Sequence, residues 1–298
     1  MKKILIIGCG LLGSSLLRAI QKKKLAKKIF IYEKSKLNIK KIKKLKLPGI
    51  IVNKLKEGVI NSDLIIFCTP MSEYKNLILK INNFVLPKTL ITDIGSAKIE
   101  STKIIKKYLK KGIHWTQGHP IAGSEVSGPE QGKVNMFLDR WCILIKEKNT
   151  NKSHLNILNK FWKKLGSKVV VMTSEKHDKI FSITSHLPHL IAYNLVKTAQ
   201  DFEKYQSYDF IKFSAGGLRD FTRIAASNEI MWRDIFFNNK TNISKAIDLF
   251  VKNLSAFKKD INLKSNKLIL KKLVQTKKVR KKIIRLKQDI DKPDFGRS

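Results

Sequence analysis

The chain has 298 residues, with 61 Lys and Arg against 23 Asp and Glu, a formal net charge of +38, 43% hydrophobic residues and three cysteines. This length and hydrophobic content are typical of a globular protein of one or two domains, and they exclude a disordered or fibrous chain. Three scattered cysteines are too few for a disulfide framework or a structural metal centre, so we expect no metal site and a reducing, cytoplasmic setting.

The positive charge could attract nucleic acid or an anionic membrane surface. Only eight of the 61 basic residues are arginine, the side chain that recognises phosphates and base edges bidentately. The longest apolar stretch, residues 4–17, is shorter than the ~20 residues that span a bilayer. We therefore expect no specific nucleic-acid partner and no membrane partner, and only incidental affinity for polyanions.

Short apolar, β-branched runs alternate with lysine-rich segments of helical period over residues 1–172. This alternation predicts an α/β domain whose parallel sheet is covered by helices on both faces. The predicted strands are residues 4–7, 29–32, 64–68, 90–93, 141–145 and 169–172.

From Ser174 onward the strand pattern ends and amphipathic stretches of helical period begin, at residues 181–202, 243–257 and 268–290. Residues 173–298 should therefore form an all-α domain with a basic C-terminal tail. Pro188 should kink the first long helix or end it near Leu187. No Gly/Ser linker separates the halves, so we expect a shared interface, which is a natural ligand cleft.

A glycine-rich turn follows the first predicted strand and opens the first predicted helix. Gly8, Gly10 and Gly13 have the GxGxxG spacing of a Rossmann dinucleotide site. Gly8 permits the tight turn, Gly10 lets the backbone approach a pyrophosphate, and Gly13 lets the helix pack on the strand. Leu11 and Leu12 begin the helix, whose free N–H groups would face the phosphates. A glycine-rich turn without a ligand is the weaker interpretation.

Glu33 lies 20 residues beyond the last of these glycines, at the end of the second predicted strand. Its carboxylate can accept hydrogen bonds from both ribose hydroxyls and would repel a 2′-phosphate, which favours NAD over NADP. Lys34 and Lys36 weaken that preference and leave NADP possible, and a surface carboxylate without a ligand is the alternative. Thr69 and Pro70 follow the next buried strand at the same edge, where Thr69 could line the nicotinamide-ribose site.

Two polar segments follow later strands at this edge. Ser96 lies in TDIGSAK, and His119 lies in GHPIAGSE. A histidine that precedes proline and is flanked by glycines should be exposed at a turn. A neutral imidazole beside a nicotinamide is the base that a dehydrogenase needs to take a hydroxyl proton as hydride leaves. Ser96 could orient that ring or the substrate hydroxyl, or it could cap the helix that follows.

Taken together, these segments resemble a known family. GCGLLGSS, DLIIFCTP, TDIGSAK, GHPIAGSEVSGP, EKHD, SHLPH, GGLRDFTRIA and MWRDIF occur in this order in the prephenate/arogenate (cyclohexadienyl) dehydrogenases of tyrosine biosynthesis. The resemblance covers residues 1 to about 240, and PDFGR at residues 293–297 is similar to the tail of alphaproteobacterial members. It implies an NAD(P)-binding Rossmann domain, a helical dimerisation domain, a homodimer, and oxidative decarboxylation of prephenate or arogenate.

The resemblance also implies roles for particular residues. His119 matches the catalytic histidine that hydrogen-bonds the C4 hydroxyl of the substrate ring, and Ser96 matches the serine beside it. Arg223 matches the arginine that binds a substrate carboxylate, and Arg219 stands where many relatives have lysine. Glu125 matches a glutamate that helps to order the pocket.

Three further residues resemble the family's substrate pocket. Asp178 of EKHD and His189 of SHLPH resemble a polar pair at the side-chain end of the pocket, and Trp232 matches an aromatic residue near the site. His186 and His189 could equally be helix histidines satisfied in the domain interface. Asp178 could equally be a carboxylate at a helix start that interacts with the helix dipole.

Two other function classes are open to test. A β-hydroxyacid dehydrogenase also joins a Rossmann domain to helices, but we find no catalytic lysine in a glycine-rich helix after residue 172. A basic nucleic-acid or membrane-surface module would leave His119, Arg223 and the glycine motif unexplained. If Arg223 does not bind substrate, it should pair with nearby Asp220.

Overall fold

The computed structural model describes residues 1–206 and 211–286. Its largest sheet has five strands in the order β3-β2-β1-β4-β5, and every neighbouring pair is parallel. These strands are β1 (Lys3–Ile7), β2 (Lys28–Tyr32), β3 (Ile50–Ile51), β4 (Leu64–Phe67) and β5 (Leu90–Asp93). The predicted parallel sheet is confirmed. The sequence pattern missed β3 because two residues are too few to show a period.

A second sheet lies against the edge of the first. It contains β6 (Gly118–Pro120), β7 (Trp141–Ile145) and β8 (Lys168–Met172), with β6 antiparallel to β7 and β7 parallel to β8. The expectation of one parallel sheet is wrong for these strands. Strand β6 has three residues, one of them proline, so no apolar run marks it. A bridge between Ile91 and Trp115 joins the two sheets.

Helices cover both faces of the five-stranded sheet because side chains alternate along its central strand. Ile4 and Ile6 of β1 pack in one core cluster, and Leu5 and Ile7 pack in the other. The helices of this half are α1 (Leu11–Lys22), α2 (Lys36–Lys44), α3 (Leu55–Ile60), α4 (Tyr74–Ile81), α5 (Ile99–Tyr108) and α6 (Lys152–Lys164).

After Met172 every regular element among the described residues is helical. These helices are α7 (Ser174–Phe181), α8 (Leu187–Gln206), α9 (Gly216–Ala225), α10 (Glu229–Asn238), α11 (Lys240–Asn262) and α12 (Asn266–Arg285). A π-helical turn, Ser182–His186, separates α7 from α8. Pro188 is the second residue of α8 and has no N–H to donate, so the helix does not end near Leu187 but widens into this π-helical turn just before the proline.

Residues 287–298, which include the PDFGR segment, lie outside the described residues. Within residues 1–206 and 211–286, no helix is both long enough and apolar enough to cross a bilayer.

The two halves share an interface. Trp232 and Ile235 of α10 are buried in the core cluster on one face of the five-stranded sheet. The backbone N–H of Ser72 donates to Asp234 Oδ2 at 2.8 Å. The helical half thus covers the carboxyl edge of the sheet, where the polar loops emerge.

The glycine-rich turn has the geometry that its spacing predicts. Gly8 has φ +89°, in the left-handed region that favours glycine. A Cβ on Gly13 would lie 2.1 Å from the carbonyl oxygen of Gly8, whereas a Cβ on Gly10 would meet no atom within 4 Å. Leu11 is the first residue of α1, and Gly10 is its N-cap.

We expect Gly13→Ala to lower both stability and affinity for NAD. The added carbon would contact backbone that cannot rotate away, and such overpacking costs about 1–3 kcal/mol. Gly10→Ala is the matched control: it should keep the Tm of the wild type and weaken only NAD binding, because its methyl group would enter open space at the helix N-terminus. Thermal melts and NAD titrations of both variants test this, and a wild-type Tm for Gly13→Ala would contradict it.

Candidate active site

A fully buried carboxylate marks the end of β5, at the carboxyl edge of the sheet. Asp93 is 0% exposed, and its two oxygens accept four hydrogen bonds. The donors are Tyr74 Oη (3.0 Å), Gly95 N (3.0 Å), Lys98 Nζ (2.7 Å) and Trp115 Nε1 (3.1 Å). These donors replace the water that the carboxylate loses on burial.

Lys98 is the cationic partner of Asp93 and is also fully buried. Its Nζ donates to Asp93 Oδ2 at 2.7 Å and to the carbonyl oxygen of Gly118 at 2.6 Å. The ammonium therefore links β5 to β6 directly before His119. Sequence reasoning missed this pair, although both members lie in TDIGSAK, because a buried lysine has no local pattern that separates it from the many surface lysines.

His119 lies within β6 and is only 8% exposed. The expectation that flanking glycines would expose the ring is wrong, because α7 covers it: the rings of His177 and Phe181 lie 5.0 and 5.1 Å away, centroid to centroid. Burial, with help from nearby His177, Lys98 and His186, holds the pKa of His119 well below its usual range. The ring is therefore neutral at pH 7.

A chain of three side chains connects His119 to the helical half. His119 Nδ1 is 2.8 Å from His177 Nε2, and His177 Nδ1 is 2.7 Å from Asp178 Oδ1. Asp178 also accepts the backbone N–H groups of Lys98 and Ile99, each at 2.8 Å. Burial raises the pKa of Asp178 to about 6, against those two backbone donors, so the group is a carboxylate at neutral pH.

No hydrogen bond joins Asp178 to His189 among the described residues, and their role as a polar pair at the side-chain end of the pocket stays a prediction. Asp178 belongs to α7 and is 0% exposed. Its carboxylate accepts hydrogen bonds from the backbone N–H groups at the start of α5. It does act on a helix N-terminus, as the alternative expected, but the helix is α5 and not its own. His189 instead hydrogen-bonds the carbonyl oxygen of Ser185 at 3.0 Å through Nδ1.

Ser96 lies half-buried in the loop between β5 and α5. The suggestion that it caps the next helix is wrong, because α5 begins at Ile99 and its N-cap is Lys98. Among the described residues its hydroxyl has no hydrogen-bond partner, so no hydrogen bond joins it to His119. Its backbone lies beside His186, whose pKa burial lowers to about 4 against the opposing effects of the Asp178 carboxylate and the Ser96 backbone.

His186, His189 and Trp232 form an aromatic wall on the helical half. Trp232 of α10 is 4% exposed and stacks on His189, with ring centroids 3.8 Å apart and an interplanar angle of 23°. His186 packs edge-on against the same indole at 6.2 Å. His186 Nε2 and Trp232 Nε1 are buried and have no hydrogen-bond partner among the described residues. His186 is satisfied only at Nδ1, by Asn239.

Arg223 of α9 reaches across to the loop that follows β6. Its Nη1 donates to Glu125 Oε1 at 3.1 Å, and the two side chains are 46% and 30% exposed. Arg223 therefore pairs with Glu125 and not with Asp220. Its charge also helps to lower the pKa of His189, although burial is the main cause. Arg219 lies one turn earlier on α9 and is exposed.

Glu33 turns its carboxylate toward the glycine-rich turn. Oε2 accepts the backbone N–H of Cys9 at 2.8 Å, and Oε1 accepts that of Ser35 at 2.9 Å. The neighbouring Lys34 forms its ion pair with Glu73, with Nζ 2.5 Å from Oε2. The negative charge at the end of β2 is therefore held in place beside the predicted dinucleotide site.

Thr69 borders the same turn from the end of β4. A Cβ on Gly8 would lie 2.9 Å from its Cγ2, so the two residues are in contact. Its Oγ1 is buried without a hydrogen-bond partner in the described part of the chain. Pro70 follows as an exposed residue before a short 3-10 turn. An unpartnered hydroxyl and the open space at Gly10 both fit a ligand with hydroxyl and phosphate groups.

Comparison with known proteins agrees with this geometry. The family model described as "Prephenate dehydrogenase, nucleotide-binding domain" matches residues 16–171, and that described as "Prephenate dehydrogenase, dimerization domain" matches residues 173–278. A cyclohexadienyl dehydrogenase of Zymomonas mobilis is 30% identical over 290 residues, which cover 97% of this chain and 98% of that protein. A prephenate dehydrogenase of Bacillus subtilis is 32% identical over 253 residues, or 84% of this chain and 68% of that protein.

Solved structures agree as well. The prephenate dehydrogenase of Aquifex aeolicus, in complex with hydroxyphenyl propionate and NAD+, is 31% identical. It superposes with a TM-score of 0.88 over 95% of this chain and 98% of that one. The chain therefore belongs to the prephenate dehydrogenase family.

Proposed function

We propose that this protein catalyses the NAD-dependent oxidative decarboxylation of prephenate to 4-hydroxyphenylpyruvate. The observation that carries the proposal is the neutral, buried imidazole of His119, held at the carboxyl edge of a sheet whose first turn has dinucleotide-binding geometry. Arg223, a cation suited to a carboxylate, comes from the helical half and pairs with Glu125 in the loop that follows His119.

The residues that would hold NAD are those at the ends of β1, β2 and β4. The turn at Gly8 and Gly10 with the N-terminus of α1 suits the pyrophosphate, and Glu33 suits the adenosine ribose. We assign Thr69, whose hydroxyl has no hydrogen-bond partner among the described residues, to the nicotinamide end. When bound, NAD supplies the acceptor for the hydride that leaves C4 of the substrate.

The chain itself supplies the base. As hydride leaves C4, His119 takes the proton of the C4 hydroxyl, and the bond from the ring to the carboxylate breaks to release CO2. The electron pair of that bond completes the aromatic ring, and the proton returns to the oxygen to give the phenol. A positioned base of this kind contributes about 10²–10⁴-fold to the rate.

Arg223 is proposed to hold a substrate carboxylate. A guanidinium can bind a carboxylate bidentately, and only Nη1 is used in its contact with Glu125. An ion pair as exposed as that of Arg223 with Glu125 contributes about 0–1 kcal/mol of stabilisation. A substrate carboxylate can therefore compete with Glu125 for the same guanidinium. We assign Arg219, Ser96, His189 and Trp232 to the surrounding pocket.

We further propose a cytoplasmic homodimer with a nucleotide-binding domain at residues 1–172 and a helical domain at residues 173–298. The boundary falls between β8, which ends at Met172, and α7, which begins at Ser174. Leu254 of α11 is 57% exposed and Leu273 of α12 is 50% exposed. Such exposed leucines on neighbouring helices support association through this domain.

The direct test is an assay of reduced cofactor with prephenate and arogenate, each supplied with NAD and with NADP. We expect the highest kcat/KM for prephenate with NAD. Absence of turnover with either acid would reject the proposal, and a better kcat/KM with NADP would reject the role of Glu33.

His119→Ala should lower kcat by about 10²–10⁴-fold and leave the Kd for NAD unchanged, because the imidazole acts on the hydroxyl proton.

Arg223→Ala should raise KM for the cyclohexadienyl acid by at least about tenfold, because a charge-assisted pair to a carboxylate is lost. KM for NAD should not change, and Arg223→Lys should restore affinity only in part, since an ammonium lacks the fork. The exposed Arg140 offers a matched control for the loss of one charge. Unchanged Michaelis constants with a lowered Tm would mean that Arg223 only stabilises the fold.

A further inference from the structure

His177 and Asp178 sit directly behind the proposed base, and nothing in the reaction as written gives them a part. Both are 0% exposed, on α7 of the helical half, whereas His119 belongs to β6 of the other half. The three side chains form one line of hydrogen bonds that crosses the domain interface. Buried polar groups arranged in this way constrain one another, because each nitrogen must either donate or accept.

The direction of these hydrogen bonds is set at the Asp178 end. Oδ1 accepts the backbone N–H of Lys98, and Oδ2 accepts that of Ile99. A backbone N–H can only donate, so both oxygens act as acceptors, as in an ionised carboxylate. His177 Nδ1, 2.7 Å from Oδ1, must therefore carry a hydrogen.

The tautomers of both rings follow from this. A neutral His177 with a hydrogen on Nδ1 has a bare Nε2, which can only accept. His119 Nδ1 lies 2.8 Å from that atom and must donate to it. His119 is neutral as well, so its Nε2 is left with the lone pair.

We propose that His177 and Asp178 are positioning residues that hold His119 in the Nδ1–H tautomer, with Nε2 as the atom that takes the substrate proton. This assignment rests on the proposed function and goes beyond it. Free histidine prefers the other tautomer, in which Nε2 carries the hydrogen and cannot act as a base; the partner of the second nitrogen decides between them.

The same line of bonds stabilises the charge that forms during the reaction. When the hydroxyl proton binds Nε2, His119 becomes an imidazolium. Its Nδ1–H then donates to Nε2 of His177, and His177 in turn donates from Nδ1 to the Asp178 carboxylate. No proton needs to move to Asp178, because orientation of the ring and compensation of its charge are sufficient. The hydrogen bonds to His177 and Asp178 thereby offset the repulsion from Lys98, a nearby cation that disfavours the imidazolium.

Long-range ¹H–¹⁵N correlation spectra of histidine-labelled protein at pH 7.5 test the tautomers directly. The signals are assigned by their loss in His119→Ala and His177→Phe. We expect both rings as neutral Nδ1–H tautomers in the wild type without substrate, and His119 shifted toward the Nε2–H form in His177→Phe. An Nε2–H tautomer of His119 in the wild type would overturn the assignment, whatever the variants do.

Kinetics of His177→Phe give a second readout. We expect kcat to fall by about 10²-fold or more while KM for substrate and Kd for NAD stay within about threefold, since the base is disabled and the binding groups remain. His177→Gln, whose amide oxygen can accept from Nδ1–H, should recover part of kcat.

His154→Phe is the matched control, because it makes the same exchange of ring on α6, outside the site. It should have the kcat of the wild type. A folded His177→Phe protein with wild-type kcat would overturn the positioning role. A wild type inactive on both acids would instead reject the proposed function and leave the tautomer measurement standing.

Discussion

The buried ion pair between Lys98 and Asp93 is the interaction on which the site depends. Both side chains are 0% exposed, and burying an ion costs several kcal/mol unless it is paired and hydrogen-bonded. The geometry meets that condition: the ammonium has acceptors at 2.7 and 2.6 Å, and the carboxylate has four donors. Few conformations of the loop after β5 can satisfy so many partners at once. The backbone N–H of Lys98 then binds Asp178, so one residue ties β5, β6 and α7 together.

This constraint explains how two halves of the chain form one site. Strand β6 carries His119 where the ammonium fixes the preceding carbonyl, and α7 brings His177 against it because Asp178 is bound at the start of α5. The sheet edge therefore carries the glycine-rich turn and His119, and the helical half carries Arg223 and the aromatic wall. Burial by both halves keeps the imidazole neutral, which a base must be before it can accept a proton.

The sequence predicted those features that rest on local pattern. The glycine spacing predicted the turn at Gly8, and apolar runs predicted six of the strands, because a buried parallel strand is continuous in apolar residues. The features it missed depend on contacts between distant segments. His119 is buried by α7, 58 residues away, and Asp178 caps a helix that begins 79 residues earlier. A histidine next to an aspartate in EKHD gives no sign of which ring it will meet.

A double-mutant cycle on the free energy of unfolding tests most directly whether the buried pair holds this structure together. Urea titrations would compare the wild type, Lys98→Met, Asp93→Asn and the double variant. Lys98→Met alone should cost about 3–5 kcal/mol, because Asp93 is left buried without its countercharge. The double variant should be more stable than the sum of the two single losses predicts, by at least ~1 kcal/mol, since neither ion is then left alone. Strictly additive losses, or a Lys98→Met protein as stable as the wild type, would contradict the account.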